Sequence, residues 1–310
     1  MENYVVIGES VFSEAIARGL QTDFIRITSR KFPDREIKTR IDVSKLKKIE
    51  DRTALIVIRA NRFDPDPNDC ILKIILIANT LTKYGIQQKD LLLPYMFYAR
   101  QDGERLPGES NTLGIIADIY ENLSFNNLIT VNSHLYGKKH NIQEFFKSIK
   151  VQDLSVTHLF ASYIFAKNFK NPFIIGPGIG PEKMAKELSI SLDCEYECLP
   201  KSRDPETGRV DIAPPESDLL NKDVIIYDDI ASSGGTTEMA YRLSEIKNPG
   251  SLTIALPHLW TSPGITRLSL LRSIELITTN SFRSEHVKRP FTELSLEPML
   301  VKHLQNLSNK

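Results

Sequence analysis

Apolar and polar positions along this chain follow two rhythms that take turns. Short runs dense in Ile, Val and Leu read as buried strands at residues 4–7, 53–59, 90–93 and 127–131. Between them, apolar residues recur at intervals of three and four, which predicts helices over 10–20, 69–84 and 112–122. Gly85 is placed to cap the second helix, and Pro94 stops the strand before it. The pattern then starts again, with helices over 157–168, 181–188 and 237–245 and strands over 173–176, 193–199, 223–227, 252–256 and 274–278. Such alternation predicts the α/β class, with parallel sheets flanked by helices in two tandem units that meet near residues 145–156. No sequence repeat accompanies the second unit.

Composition narrows this picture. The 310 residues are 41% apolar and 25% charged, ordinary for a water-soluble fold of two domains. Lys plus Arg equals Asp plus Glu at 39 each, which argues against a nucleic-acid binder driven by bulk charge, so any anion site must be built locally. The N-terminus enters a strand pattern at once, and no apolar run approaches the ~20 residues of a spanning helix, so no membrane role and a cytoplasmic location are expected. Cys70, Cys194 and Cys198 form no disulfide framework and read as packing residues in a reducing compartment.

The most informative stretch runs from Asp223 to Thr237. An apolar strand ends in Asp228 and Asp229, followed by Ser232, Ser233, Gly234, Gly235 and Thr236 at the start of a helical pattern. Glycines let backbone approach a ligand closely, and N–H groups converging at a helix start bind phosphate. The two carboxylates repel phosphate, so they need sugar hydroxyls or a metal ion. The stretch lacks the Gly-Lys-Ser/Thr end of a Walker A loop and the spacing of a dinucleotide fingerprint. A sugar phosphate is the ligand that suits it.

Four further segments carry candidate chemistry. Lys31-Phe-Pro-Asp34-Arg35-Glu36 sets two carboxylates around a basic residue in a turn. Pro94 to Asp102 places aromatics, Arg100 and Gln101 beyond a strand end, where ligands bind in open α/β sheets. Arg stacks on purines and contacts phosphate, and Gln reads base edges. His134 also follows a strand end. Lys201 and Arg203, two apart on a strand, point the same way as preorganised cations for charge in transit.

The Ser232–Thr236 loop resembles the phosphoribosyl-pyrophosphate (PRPP) loop shared by type I phosphoribosyltransferases and ribose-phosphate pyrophosphokinases (PRPP synthases). The Tyr98-Ala-Arg-Gln-Asp102 run resembles a signature of the pyrophosphokinases alone, and nearly the whole chain is similar to that family, most of all to its archaeal-type branch. The resemblance implies two tandem phosphoribosyltransferase-like domains, with residues 1–150 on the ATP side and residues 151–310 binding ribose 5-phosphate, the last residues packing back on the first domain. It implies that pyrophosphate passes from ATP to the C1 hydroxyl of ribose 5-phosphate, giving PRPP and AMP. Asp228, Asp229 and the segment from Ser232 through Ser233, Gly234 and Gly235 to Thr236 would hold ribose 5-phosphate. Arg100 and Gln101 would contact ATP, with Asp34 and Glu36 reaching from a second subunit of a homo-oligomer, a dimer or larger. His134 would bind Mg²⁺, and Lys201 and Arg203 would act in catalysis. Four positions depart from the family pattern: Gly178 replaces a metal-binding Asp, Gly114 replaces a cation after the loop of residues 102–111, Asn132 replaces an Asp, and Arg35 stands where the family has Gly. The first two leave open a non-catalytic, regulatory member of the family; a phosphoribosyltransferase that consumes PRPP is a further alternative.

Overall fold

The two rhythms become two sheets. The computed structural model describes residues 4–48, 51–63, 66–178, 180–203, 210–272, 274–284 and 290–308. The first half runs β1 (Tyr4–Gly8), α1 (Val11–Leu20), β2 (Phe24–Lys31), β3 (Ile37–Ile41), β4 (Thr53–Val57), α2 (Pro67–Lys83), β5 (Lys89–Leu93), α3 (Thr112–Asn122), β6 (Asn127–Val131) and β7 (Lys150–Leu154). Its sheet has the order β3-β2-β1-β4-β5-β6-β7 and is parallel throughout except for the β2–β3 hairpin.

The second half runs α4 (Thr157–Ala166), β8 (Pro172–Gly176), α5 (Glu182–Leu192), β9 (Glu195–Cys198), β10 (Lys201–Arg203), β11 (Val210–Ile212), β12 (Asp223–Tyr227), β13 (Ile230–Ala231), α6 (Gly235–Glu245), β14 (Ser251–Leu256), β15 (His258–Leu259), α7 (Ser262–Ser269), β16 (Ile274–Thr279), β17 (Thr292–Leu294) and α8 (Glu297–Ser308). A parallel sheet has the order β17-β16-β14-β12-β8-β9. β10 and β11 form an antiparallel flap, and β13 pairs with β15 in parallel. No helix among the described residues is long and apolar enough to cross a membrane.

Local chemistry sets the helix ends. The Ser10 hydroxyl accepts from the Ser13 N–H to cap α1, and the Asp66 carboxylate accepts from the Asp69 N–H ahead of Pro67 at the start of α2. Gly85, at φ +89°, takes the left-handed conformation just beyond α2.

Strand residues alternate between two faces. Val5, Ile7, Ile56, Leu91 and Leu93 pack beneath α2 and α3. Val6, Leu55, Leu92 and Ile129 face the other way, into a core that also holds Ile174, Ile225, Ala255 and Ile277 of the second sheet. That shared core makes the halves one body, and each fully buried side chain of this kind contributes about 1.5–3 kcal/mol. α8 crosses back onto α1, where Leu300 and Leu304 join Phe12 and Ile16.

A buried arginine adds a polar tie. Arg62, beyond β4, donates to the Leu259 carbonyl and, at 2.8 Å, to the Thr279 carbonyl, and it pairs with Glu293 at 3.0 Å. One guanidinium thus joins the loop after β4 to β16 and β17 of the second sheet and to β15 beside it.

Candidate active site

Parallel strands deliver their following residues to one end of a sheet, and here the two sheets open onto a common cleft of about 1160 Å³. Tyr95, Tyr98, Arg100 and Gln101 reach it from beyond β5, and His134 and Lys138 from beyond β6. The second half contributes Lys201, Ser232 and Trp260. The structure therefore brings five of the residues expected from sequence, Arg100, Gln101, His134, Lys201 and Ser232, to one place.

The acidic pair stands at the end of β12. The Asp229 N–H donates to Asp228 Oδ1 at 3.0 Å, and the Ile230 N–H donates to Asp229 Oδ1 at 2.8 Å. The other Asp229 oxygen pairs with His134 Nδ1 across the cleft. Burial first, then the neighbouring Asp229 charge, push the Asp228 carboxyl well above the usual carboxylate range. Burial also opposes ionisation of Asp229, but the His134 hydrogen bond and charge outweigh it and hold that carboxyl below its usual range. Their environments thereby push the two carboxyl pKa values apart, with ionisation easier at Asp229 than at Asp228.

The loop after β13 is shaped for an anion. α6 begins at Gly235, two residues earlier than the periodicity predicts, so Thr236 lies in its first turn. Gly234 precedes it at φ +75°, and no side chain caps the helix, which leaves its first N–H groups open to a ligand. Thr261 Oγ1 donates to the Ser232 carbonyl at 2.8 Å and pins the loop. Gly264 makes this approach possible, because a Cβ there would fall 2.0 Å from the Ser232 carbonyl oxygen.

Gln101 is held from behind: its N–H donates to the Tyr98 carbonyl at 2.8 Å, and Thr112 Oγ1 donates to Gln101 Oε1 at 2.8 Å. Gly114 lies in the first turn of α3, where a Cβ would come within 3.0 Å of the Asn111 side chain that caps the helix. The helix cap occupies the space a side chain at 114 would need. Asn132 is buried, with its Oδ1 accepting from the Val156 N–H at 2.7 Å, a bond that ties β6 to the start of α4.

Gly178 follows β8 at φ +127°, and a Cβ added to it would lie 3.1 Å from Lys201 Cε and 3.3 Å from Lys201 Nζ. Lys201 thus fills the space beside the position where a carboxylate was expected. Arg203 ends β10, and its side chain lies outside the described residues. Asp34 and Glu36 sit away from the cleft, on the exposed turn of the β2–β3 hairpin. The Glu36 N–H donates to Asp34 Oδ1 at 3.1 Å, and Arg35 between them stands at φ +73°, a conformation glycine adopts more cheaply.

Sequence reasoning marked Tyr95 only as one of the aromatics of residues 94–102, and it missed Lys138, Trp260 and His258. Trp260, the single tryptophan, lines the cleft and stacks on Phe282 with ring centroids 4.9 Å apart. His258 is buried beneath it, with Nε2 2.9 Å from the Val131 carbonyl and Nδ1 3.0 Å from the Ser281 hydroxyl. Both follow β14, and the strand-end rule could have found them. Lys138 lies in a polar turn that gives no sequence signal.

Comparison with known proteins agrees with this geometry. Residues 6–123 match the N-terminal domain of ribose phosphate pyrophosphokinase, and residues 148–268 match the phosphoribosyl transferase domain. The ribose-phosphate pyrophosphokinase of Saccharolobus solfataricus is 29% identical over 282 residues, covering 89% of this chain and 92% of that protein. The protein of that name from Methanobrevibacter smithii is 28% identical over 295 residues, covering 91% and 95%. The crystal structure of phosphoribosylpyrophosphate synthetase from Mycobacterium smegmatis superposes with a TM-score of 0.83 over 99% of both chains at 21% identity, which establishes a common fold. With both domains matched in order, and with the relatives covered almost end to end, the chain belongs to the ribose-phosphate pyrophosphokinase family.

Proposed function

We propose that the chain transfers the β,γ-pyrophosphoryl group of ATP to the C1 hydroxyl of ribose 5-phosphate, yielding PRPP and AMP. The observation that carries this is one cleft that Arg100 and Gln101 line from the first half and Lys201 and Ser232, beside an uncapped helix start, line from the second. The loop from Ser232 to Thr236 takes the 5-phosphate on backbone N–H groups. Asp228 and Asp229 face the ribose hydroxyls. Arg100 and Gln101 position the nucleotide, and Lys201 and Arg203 stabilise negative charge on the group in transit. Holding both substrates in line supplies much of the rate. Asp34 and Glu36, exposed on their hairpin, reach a second copy's cleft in a homo-oligomer.

Mg²⁺ is the proposed cofactor. Among the described residues no cluster of three metal-ligating side chains exists, and Gly178 supplies no side-chain oxygen. The donors fit an ion that arrives with its phosphates and needs one or two protein ligands, the usual habit of Mg²⁺. His134 and Asp229 would hold it, and it would neutralise phosphate charge.

The test is AMP formation from ATP and Mg²⁺, with and without ribose 5-phosphate. AMP that depends on ribose 5-phosphate supports the reading; its absence refutes it. In that case a non-catalytic family member, favoured by Lys201 beside Gly178, predicts tight ribose 5-phosphate binding without turnover.

A further inference from the structure

Lys138 is a lysine in the cleft with no assigned task. It follows His134 in a turn fixed from several sides. The Ser133 N–H and hydroxyl donate to the Asp153 carboxylate at 3.0 and 2.7 Å, and the Lys138 N–H donates to the Leu135 carbonyl at 3.1 Å. Gly137 turns the chain at φ +75°, and a Cβ there would collide with Lys183 Cδ at 2.2 Å, so the turn closes against α5. The result is a half-buried ammonium on the cleft wall.

Among the described residues Lys138 forms no ion pair. Its nearest acidic influences are Asp229, engaged by His134, and Asp102, 3.6 Å from Arg105. Burial pulls its pKa down, the sign of a charge awaiting a partner. An ammonium withdrawn from water without a counter-charge is costly, and an arriving anion removes that cost. The cleft meanwhile lacks a carboxylate at Gly178 that could bring a second cation to the phosphates.

Resting on the function proposed above, we infer that Lys138 is a further substrate-binding cation, pairing with the phosphate oxygens of the pyrophosphoryl group as it passes from ATP to ribose 5-phosphate. The ammonium stays protonated and forms no covalent bond. It supplies locally some of the positive charge that a second metal ion would otherwise bring.

The probe is inorganic pyrophosphate in metal-free buffer, titrated into the full chain while Trp260 fluorescence is followed, with calorimetry in parallel. Replacing Lys138 by Met should weaken pyrophosphate binding about tenfold, the loss of one charge-assisted hydrogen bond, and lessen its salt dependence. Lys138→Arg should stay within about threefold of native, and Lys139→Met, on the exposed neighbour, should match native. Ribose 5-phosphate affinity should hold in all three variants. The inference is overturned if native protein binds no pyrophosphate, if Lys138→Met binds it as native does, or if Lys138→Met instead loses ribose 5-phosphate. If Lys138→Met does not fold, Lys138→Gln takes its place under the same criteria. Because binding is read without turnover, a native protein that binds pyrophosphate but forms no AMP fails the proposed reaction and leaves the Lys138 result to stand or fall alone.

Discussion

His258 makes the stability of this protein depend on pH in a calculable way. Its ring is fully buried against Tyr95, with centroids 4.9 Å apart, and desolvation dominates its titration. The Val131 carbonyl and the Asp229 charge favour the proton and Arg62 opposes it, but burial wins and takes the pKa from 6.5 down to about 4. The unfolded chain therefore binds the proton at higher pH than the folded one. Stability falls as pH drops through 6.5, and the loss is complete near 4. At ~1.36 kcal/mol per pH unit the full cost is about 3 kcal/mol, of which about 2 kcal/mol falls between pH 7 and 5. Buried Asp90 and Asp153 work in the opposite sense, because burial raises their carboxyl pKa values and acid then favours the folded form. A His258→Gln comparison cancels them: the amide can still donate to the Val131 carbonyl and does not titrate. Urea unfolding of both proteins at pH 7 and 5 should show the native chain losing about 2 kcal/mol more than the variant. Equal pH dependence in the two would refute the assignment of a neutral, buried imidazole.

Replacing Lys201 by Ala should lower turnover by about 10²–10³-fold with ribose 5-phosphate affinity unchanged, and steady-state kinetics with calorimetry would separate the two. Gly264→Ala should push the Ser232 carbonyl from its place and cost about 1–3 kcal/mol together with ribose 5-phosphate affinity; a variant that unfolds and binds like native would contradict the close approach. Gly178→Asp should lower stability by roughly 1–3 kcal/mol through its φ of +127° and crowd Lys201, so thermal unfolding should drop and turnover should not rise. Arg62→Met leaves Glu293 and two carbonyls without their buried cation and should cost about 3–5 kcal/mol in chemical denaturation.

How much could be read in advance differs by element. α3, β6 and β12 begin and end where periodicity puts them, because their apolar spacing is regular and polar residues, Asn or Asp among them, bound each one. The β2–β3 hairpin escaped notice: most of its side chains face water, so Arg30, Lys31 and Lys38 read as a charged loop. The two-residue strands β13 and β15 have no period to detect, and they exist because each pairs with the other beside Asp229 and His258.

The sequence by itself determined the α/β class and the strand–loop–helix unit around β12, and it singled out Arg100, Gln101, His134 and Lys201 as candidates because each sits where a recognisable local pattern ends at a strand tip; the structure gathers these four along one cleft. Tertiary structure alone decided what those residues meet. His134 pairs with Asp229 from 95 positions away, Lys201 fills the space beside Gly178, and Lys138 is left in the cleft with no ion pair among the described residues. Local patterns arise from a few neighbouring residues and can be read along the chain. Pairings, burial and the pKa values they set arise only when distant strands share one sheet edge, and that depends on how the whole core packs.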